Sequence, residues 1–479
     1  MKNFIKIFFC FLVLLLLSAS ELPLNAYRQV SCVTHIHSTF SDSGKLSLEQ
    51  IIQKAKNYHI DVVIPTDHDL EKIEYGLWPF RKLIKKTVEK NSVFFIGTDK
   101  YLSEIKRLQE KYPEMVIIPG VESSAYHYWT GSPFTKNLVL RGWHKHMTII
   151  GLDTIEKYKK LPIINNPGGR EFNPLLLWPV VLLLTGLLFY GRPKLKLFLI
   201  LTSVLLLIYN FPFKSYPFSA YSTNLGDLPY QNLINYVNAQ NGLVFWAHPE
   251  ARNWKEPYNF GPVSLQSSPY PDIVLKTRDF SGFAYFWEGA NMTGNVGGYW
   301  DQALIEYCEN KRNKPEWAVG ELDYINEGVQ NNYLNLNKNI LLVNNLTKED
   351  ALDALRKGRF YVTSKYKPSG FELVLTNFAI KSAESAESRV IFGESLHYRG
   401  KVKIFFTVST SDKSRHKFKI KFIEDGKIER RIEKESPANI EFEFQPAKNR
   451  TYCRIEIDAA GTANDSTKLV TNPVFLYND

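Results

Sequence analysis

The stretch Val33–Gly44, VTHIHSTFSDSG, follows an apolar N-terminal run and places His35 and His37 one residue apart. Side chains alternate across a strand, so on a strand both imidazoles face the same side. Two imidazoles on one face at a strand end can grip one ion; the plainer reading is a polar strand end. What decides between the two is whether other segments end in the same way.

They do. LSLEQIIQKAKNYHIDVVIPTDHD (Leu46–Asp69) reads as an amphipathic helix from near Ser47, then an apolar strand ending at Asp67, His68 and Asp69. MVIIPGVES (Met115–Ser123) ends near Glu122, KHMTIIGLD (Lys145–Asp153) offers His146, GLVFWAHPE (Gly242–Glu250) ends at His248, and EWAVGELDY (Glu316–Tyr324) ends at Asp323. Polar residues at the carboxyl ends of apolar strands are how α/β barrels build sites. Taken singly, His248 reads as a satisfied core histidine and Glu122 as a cap or surface carboxylate. Together they are harder to explain that way, because buried ionisable groups are costly unless paired or bound to metal.

In this order, HIHSTFSD, TDHD, PGVES, HMTIIG and AHP resemble the PHP (polymerase and histidinol phosphatase) metal-dependent hydrolases. The resemblance covers about Cys32 to Ser364. It implies an α/β fold, a distorted (β/α)7 barrel with metals at the carboxyl ends of its strands. NILLVNNLTKEDALDALRKGRFYVTS (Asn339–Ser364) is similar to a segment that follows the barrel in the branch with carbamate-hydrolysing members. Carried over by motif, His35, His37, Glu122 and Asp323 would hold one metal, and Glu122 would bridge to a second held by His146 and His248. Asp42 and His68 would supply a third position. The family's closing motif is Gly-Ser-Asp-x-His, whereas this chain reads Gly320, Glu321, Leu322, Asp323, Tyr324, Ile325. Ile325 cannot bind a metal, so the expectation is two divalent ions. His144 competes with His146, which is preferred because it directly precedes the strand MTIIG.

Mixed histidine and carboxylate ligands suit zinc, manganese or iron alike. Two such ions make a shared water acidic and clamp the oxygen of the scissile group, so hydroxide is the implied nucleophile, with Glu122, Asp323 and His248 at the reacting centre. Asp67 and Asp69 are expected to orient ligand histidines from behind. Arg170 and Arg252 are candidate anion binders or merely solvated surface residues.

The chain of 479 residues has room for two or three domains. Its formal charge of +10 is spread along the chain, and KFKIKF (Lys417–Phe422) alternates basic with apolar residues like a solvated strand face, so nucleic acid is disfavoured as a partner. Cys10, Cys32, Cys308 and Cys453 form no Cys-x-x-Cys pair, which argues against a zinc ribbon or a disulfide framework. Residues 1–28 begin MKNFIKIFFCFLVLLLLSAS and read as a signal peptide or signal anchor.

Within the expected PHP-like domain, residues 29–366, lies an apolar insertion over residues 174–213. Its two arms, Leu175–Tyr190 and Leu197–Phe213, carry no charge and flank GRPKLK with Arg192, Lys194 and Lys196. This pattern predicts a transmembrane helical hairpin whose basic turn is cytoplasmic and whose flanks lie outside, periplasmic or extracellular. The alternative is a buried core hairpin. Residues 370–479 alternate in short runs such as KVKIFFTVST and predict an antiparallel β-sandwich as an accessory domain.

The functional expectation is a membrane-anchored, metal-dependent hydrolase with the bilayer as partner and a small-molecule or envelope-derived ester as substrate, most simply a phosphoester. The same site cleaving a carbamate, amide or ester bond is the second reading. A non-catalytic envelope protein with a degenerate site is the third, motivated by Ile325.

Overall fold

The computed structural model describes residues 27–78, 80–82, 84–260, 263–384, 389–460 and 466–479; the apolar N-terminal run ahead of Tyr27 lies outside them. Strand β1 (Arg28–Ile36) runs into a polar loop, then helix α1 (Leu48–Asn57). Ser47 caps α1 in a reciprocal capping box with Gln50, and Leu48, Ile51, Ile52 and Ala55 form its buried stripe. The chain returns as β2 (Val62–Ile64), parallel to β1 with Cys32 opposite Val62. A ribbon of β3 (Lys72–Gly76) and β4 (Lys85–Glu89) leaves the body, and α2 (Thr98–Lys111) leads into β5 (Val116–Ile117) and β6 (Gly120–Ser123).

The barrel continues with β7 (Met147–Ile150), β8 (Leu243–Trp246), β9 (Gly282–Phe286) and β10 (Trp317–Tyr324), in the order β2, β1, β10, β9, β8, β7, β6. A parallel bridge from His68 to Glu122, with the Glu122 amide donating to Asp67 and the Asp69 amide to Glu122, joins the two ends into a ring. Counting β5 and β6 as one broken strand gives seven barrel positions. The distortion lies at β7, which is antiparallel to both β6 and β8, while β8, β9, β10, β1 and β2 pair in parallel. The barrel strands are buried apolar runs such as Leu243–Trp246, as a sheet covered on both faces requires.

The apolar insertion forms a helical hairpin, α3 (Pro179–Leu188) and α4 (Pro193–Asn210). Its first arm is shorter than its sequence suggests, because a 3-10 turn at Pro174–Leu177 precedes Pro179 and the helix ends before Phe189. Among the described residues α4 alone is long and apolar enough to cross a membrane, and only 6% of it is buried. The hairpin is packed inside out: Ser203 donates to the Pro179 carbonyl (2.5 Å) and Asn210 to that of Leu176 (3.0 Å), while Val181, Leu184, Leu188, Phe198, Leu201 and Ile208 face outward. A Cβ on Gly186 would lie 3.0 Å from Leu199, so the glycine sets how closely the arms approach.

After the barrel, β11 (Asn337–Val343), helix α5 (Lys348–Lys357) and β12 (Phe360–Ser364) add two antiparallel strands beside β1. The C-terminal strands enclose a second core between two sheets, with Leu375, Phe406 and Phe442 on one face and Phe418, Ile455 and Leu469 on the other. The second sheet does not stop at a linker. Ser466–Thr471 pairs with β12, and Ile340, Leu342 and Tyr361 supply side chains to the second core, so barrel and sandwich share one continuous sheet.

A buried ion pair fastens the same junction. Arg454 of the sandwich is bidentate on Asp301 of the barrel (2.8 and 2.9 Å), and Tyr452 also donates to Asp301 (2.8 Å). Removing Asp301 strips buried Arg454 of two of its three carboxylate bonds and leaves Glu456, at 2.6 Å, as its remaining acidic partner. Asp301→Ala is therefore expected to lower unfolding free energy by about 3–5 kcal/mol in a denaturant titration, whereas a loss under about 1 kcal/mol would show the junction held by its apolar core alone.

Candidate metal centre

The site forms on the side of the barrel where β1, β2, β6, β8 and β10 end and antiparallel β7 begins. Its centre is Glu122, buried on β6. Five histidine nitrogens surround its carboxylate: His146 Nδ1 at 2.8 Å, His68 Nδ1 at 3.1 Å, His35 Nε2 and His248 Nε2 at 3.2 Å, and His37 Nε2 at 3.3 Å. Asp323 Oδ1 lies 3.4 Å from His37 Nε2 and 3.6 Å from His35 Nε2.

Local irregularity aims these groups. Thr34 pairs with Glu321 and Ile36 with Tyr324, so one residue of β1 faces two of β10, a bulge that turns Asp323 inward. His35, His248 and Asp323 have φ of 62°, 27° and 49°, in the left-handed region that non-glycine residues avoid. Such strain, about 1–3 kcal/mol per residue, persists where surrounding contacts enforce it and is concentrated at functional sites.

The surrounding hydrogen bonds fix the rings. Glu321 Oε2 holds His35 Nδ1 at 2.8 Å, and the Thr148 hydroxyl donates to Glu321 Oε1 (2.9 Å). Asp67 accepts from the Ser38 amide and hydroxyl and from the Ser41 hydroxyl (2.6, 2.7 and 2.7 Å), and Ser41 Oγ lies 3.3 Å from His37 Nδ1. Asp67 thus reaches a ligand histidine through a serine. Asp69 accepts from Ser123, the neighbour of Glu122. The Tyr270 hydroxyl stands 3.4 Å from His248 Nδ1, and Trp287 donates to Asp323 (3.3 Å).

The electrostatics follow from this convergence. Burial opposes ionisation of Glu122, but His146, His35 and His68 hold it well below the usual carboxylate range. Asp323 is likewise pulled down against its burial by His35, His37 and His248. Burial works against the charge of His37, yet hydrogen bonds to Asp323 and Glu122 push its pKa up to about 9. His35 is raised well above its ordinary value by Glu122, Glu321 and Asp323, again against burial. Burial lowers His68 to about 3.

The arrangement fits metal ions. Buried His35 Nε2 has no hydrogen-bond partner although two carboxylates lie beside it, while its Nδ1 is fixed by Glu321. A ring held at one nitrogen and presenting the other is the usual state of a ligand histidine. Among the described residues, donor atoms within 4.8 Å of one another occur in four groups: His35, His37 and Glu122; His35, His248 and Asp323; His68, Glu122 and His146; and Asp42, His68 and Glu71. His146 Nδ1 and His248 Nε2 both face Glu122 Oε1, His248 also groups with His35 and Asp323, and His68 groups with His146 as well as with Asp42 and Glu71.

Some groups escaped the sequence reading. Glu321 stands two residues before Asp323, a spacing that is the one sequence signal for it; Glu71 and Lys90 carry none, because the fold of the ribbon brings them in. Lys90 ion-pairs with Asp42 at 2.6 Å and lines the cavity over the site. That cavity, about 320 Å³, is also lined by His144, Trp254 and Trp287. His144 stacks on Trp254 with ring centroids 3.4 Å apart, so it stands in the cavity wall while His146 contacts Glu122. Ile325 also lines the cavity. Arg252 and Arg170 are exposed, and neither is among the lining residues.

Comparison with known proteins gives one family: the PHP domain matches residues 34–339, more than half of the chain. No curated protein matches. Among solved structures the chain is similar to a two-domain protein of Bacteroides vulgatus ATCC 8482 containing a predicted PHP-like metal-dependent phosphoesterase, at 13% identity and a TM-score of 0.35, covering 94% of this chain and 96% of that one. It is also similar to a protein of Bifidobacterium adolescentis ATCC 15703 described as a candidate metal-dependent phosphoesterase, at 13% identity and a TM-score of 0.30, covering 64% of this chain and 92% of that one.

The charge balance predicts a pH response. In the metal-free protein the pKa of His37 is raised to about 9, above the value near 6.5 expected when unfolded. Its contribution to stability is then fully present below about pH 6.5 and is lost as pH rises through about 9. Thermal unfolding of chelator-treated protein should show the midpoint falling across this window, with a smaller fall in His37→Asn. Equal slopes in the two proteins would rule out His37 as the source.

Proposed function

The chain belongs to the PHP domain family, and on that premise we propose that it is a metal-dependent phosphoesterase held at a membrane by its helical hairpin. The observation that carries the catalytic reading is the ring of five histidines around Glu122, four of them buried, with His35 Nε2 lacking a hydrogen-bond partner among the described residues and facing the same carboxylate. Divalent ions bound in this cluster would supply Lewis acidity toward a phosphoryl oxygen and a water of lowered pKa.

The remaining roles belong to the chain itself. Glu122 gathers both sides of the cluster, and Asp323 closes the side of His35 and His37. Glu321 and Tyr270 hold His35 and His248 in register. Lys90, ion-paired with Asp42 at 2.6 Å, places an ammonium in the cavity wall. His144, kept neutral by burial, stands in the cavity wall stacked on Trp254.

The membrane reading is supported by the inside-out hairpin. Its second arm, 18 residues long, spans about 27 Å at 1.5 Å per residue, against a hydrocarbon core of about 30 Å. Apolar side chains facing outward with polar ones turned inward match an apolar solvent. The basic turn with Arg192, Lys194 and Lys196 would stay on the cytoplasmic side and the metal centre outside. Reporters fused at residues 191–196 should therefore register cytoplasm, and reporters after Asp479 the exterior; reversed labels would refute this orientation.

Metal content and hydrolysis test the catalytic reading together. The purified full chain should carry about two divalent ions, lose phosphoester hydrolysis on chelation and regain it with added metal. Glu122→Ala should fail to retain the metal, and Glu321→Ala should weaken metal affinity by about 10–100-fold. Metal-independent hydrolysis would defeat the proposal, and cleavage of carbamates in place of phosphoesters would reassign the substrate.

A further inference from the structure

The ribbon of β3 and β4 connects the metal centre to the foot of the helical hairpin. At its inner end Ile73 and Val88 form a cross-strand pair that lines the cavity, with Lys90 just beyond. Three residues outward Gly76 pairs with Lys85, and the loop beyond exposes Leu77, Trp78, Phe80 and Ile84, Trp78 to 80%. At about 3.4 Å per residue, roughly 10 Å of strand separates the cavity wall from this apolar loop.

The loop is tied to the place where the hairpin leaves the body. The Lys82 amide donates to the Tyr209 hydroxyl (3.2 Å), and its ammonium donates to the Asn210 carbonyl (2.7 Å), both at the end of α4. Around the same foot Phe172 and Phe213 are exposed with ring centroids 6.1 Å apart, and Trp178 is exposed at the start of α3. Lys85 and Lys86 are exposed on the ribbon beside them. Aromatic rings at the two feet of an apolar hairpin, with basic side chains alongside, have the composition of a membrane interface, where rings sit among headgroups and cations meet anionic lipid.

We propose that the loop between β3 and β4 lies in the membrane interface, and that the metal centre acts on the phosphorylated headgroup of a membrane-borne lipid. The proposal rests on the phosphoesterase reading and gives it a substrate class. The acyl chains would stay in the bilayer beside Trp78 and Phe80 while the headgroup reaches along the ribbon, past Ile73 and Val88, to Lys90 and the histidine cluster. In the reaction water adds to phosphorus and the bond from phosphorus to the lipid's ester oxygen breaks. The lipid alcohol leaves with one proton, and the phosphate keeps the water's oxygen.

Two measurements on the full chain in phosphatidylcholine vesicles test this. First, Trp78→Cys in a Cys10→Ser background is labelled with a bimane; Cys32, Cys308 and Cys453 are buried. Nitroxide-bearing lipid should quench the label, and an unquenched label would overturn the placement of the loop. Second, metal-loaded protein is given phosphatidic acid in the vesicles, with p-nitrophenyl phosphate as a soluble probe. The double variant Trp78→Ser, Phe80→Ser should lose about tenfold in phosphate release from the vesicles and keep its rate on the soluble probe. Equal rates for variant and parent on both probes would overturn the entry route. Cleavage of the soluble ester with phosphatidic acid untouched would overturn the lipid assignment alone. Failure on both probes with the metal in place would defeat the phosphoesterase reading and the substrate class with it, and the quenching result would still decide where the loop lies.

Discussion

Glu122 holds the site together. One buried carboxylate within 3.3 Å of five histidine nitrogens is a concentration of polar groups that a barrel interior tolerates only through mutual compensation. The histidines keep Glu122 ionised, and Glu122 with Asp323 keeps His35 and His37 inclined to protonation. The same attraction that satisfies these groups without metal would be exchanged, proton for ion, when metal binds. The strained backbone at His35, His248 and Asp323 is understandable on these terms, since each residue gives up ordinary geometry to bring a donor to one point.

The barrel serves this convergence. Antiparallel β7 brings His146, from the residue before the strand, to the rim from which the parallel strands present His35, His37 and Asp323. The C-terminal sandwich braces the opposite flank of the sheet: its strand Ser466–Thr471 extends β12, and Arg454 locks onto Asp301. The sandwich is thus an extension of the barrel sheet, which gives it a structural reason to be present whatever else it binds.

The hairpin and the ribbon form a second theme. A core helix hides its apolar side chains, whereas α4 displays them and turns Ser203 and Asn210 toward its partner. Through Lys82 the ribbon couples that surface to the wall of the metal cavity. If the hairpin anchors the chain as proposed, an anchor so close to the site would bear on which substrates reach it.

Much was legible in the sequence, because strand ends bearing His, Asp and Glu after apolar runs recur in the order of a known family, and the apolar insertion is marked by composition alone. The helix at Leu48–Asn57 was announced by its cap and its stripe. The sequence by itself determined which residue types are available, since ligand chemistry and burial are properties of the side chain. Only the tertiary structure decided which donors meet. It set His144 against Trp254 and His146 against Glu122, brought Glu71 and Lys90 to the cavity from the ribbon, placed Glu321 behind His35 and merged the sandwich with the barrel. The physical reason is that a metal centre is a matter of distances within a few ångströms between residues far apart in the chain, and strand bulges, left-handed φ angles and long-range pairing set those distances, features that local periodicity does not encode.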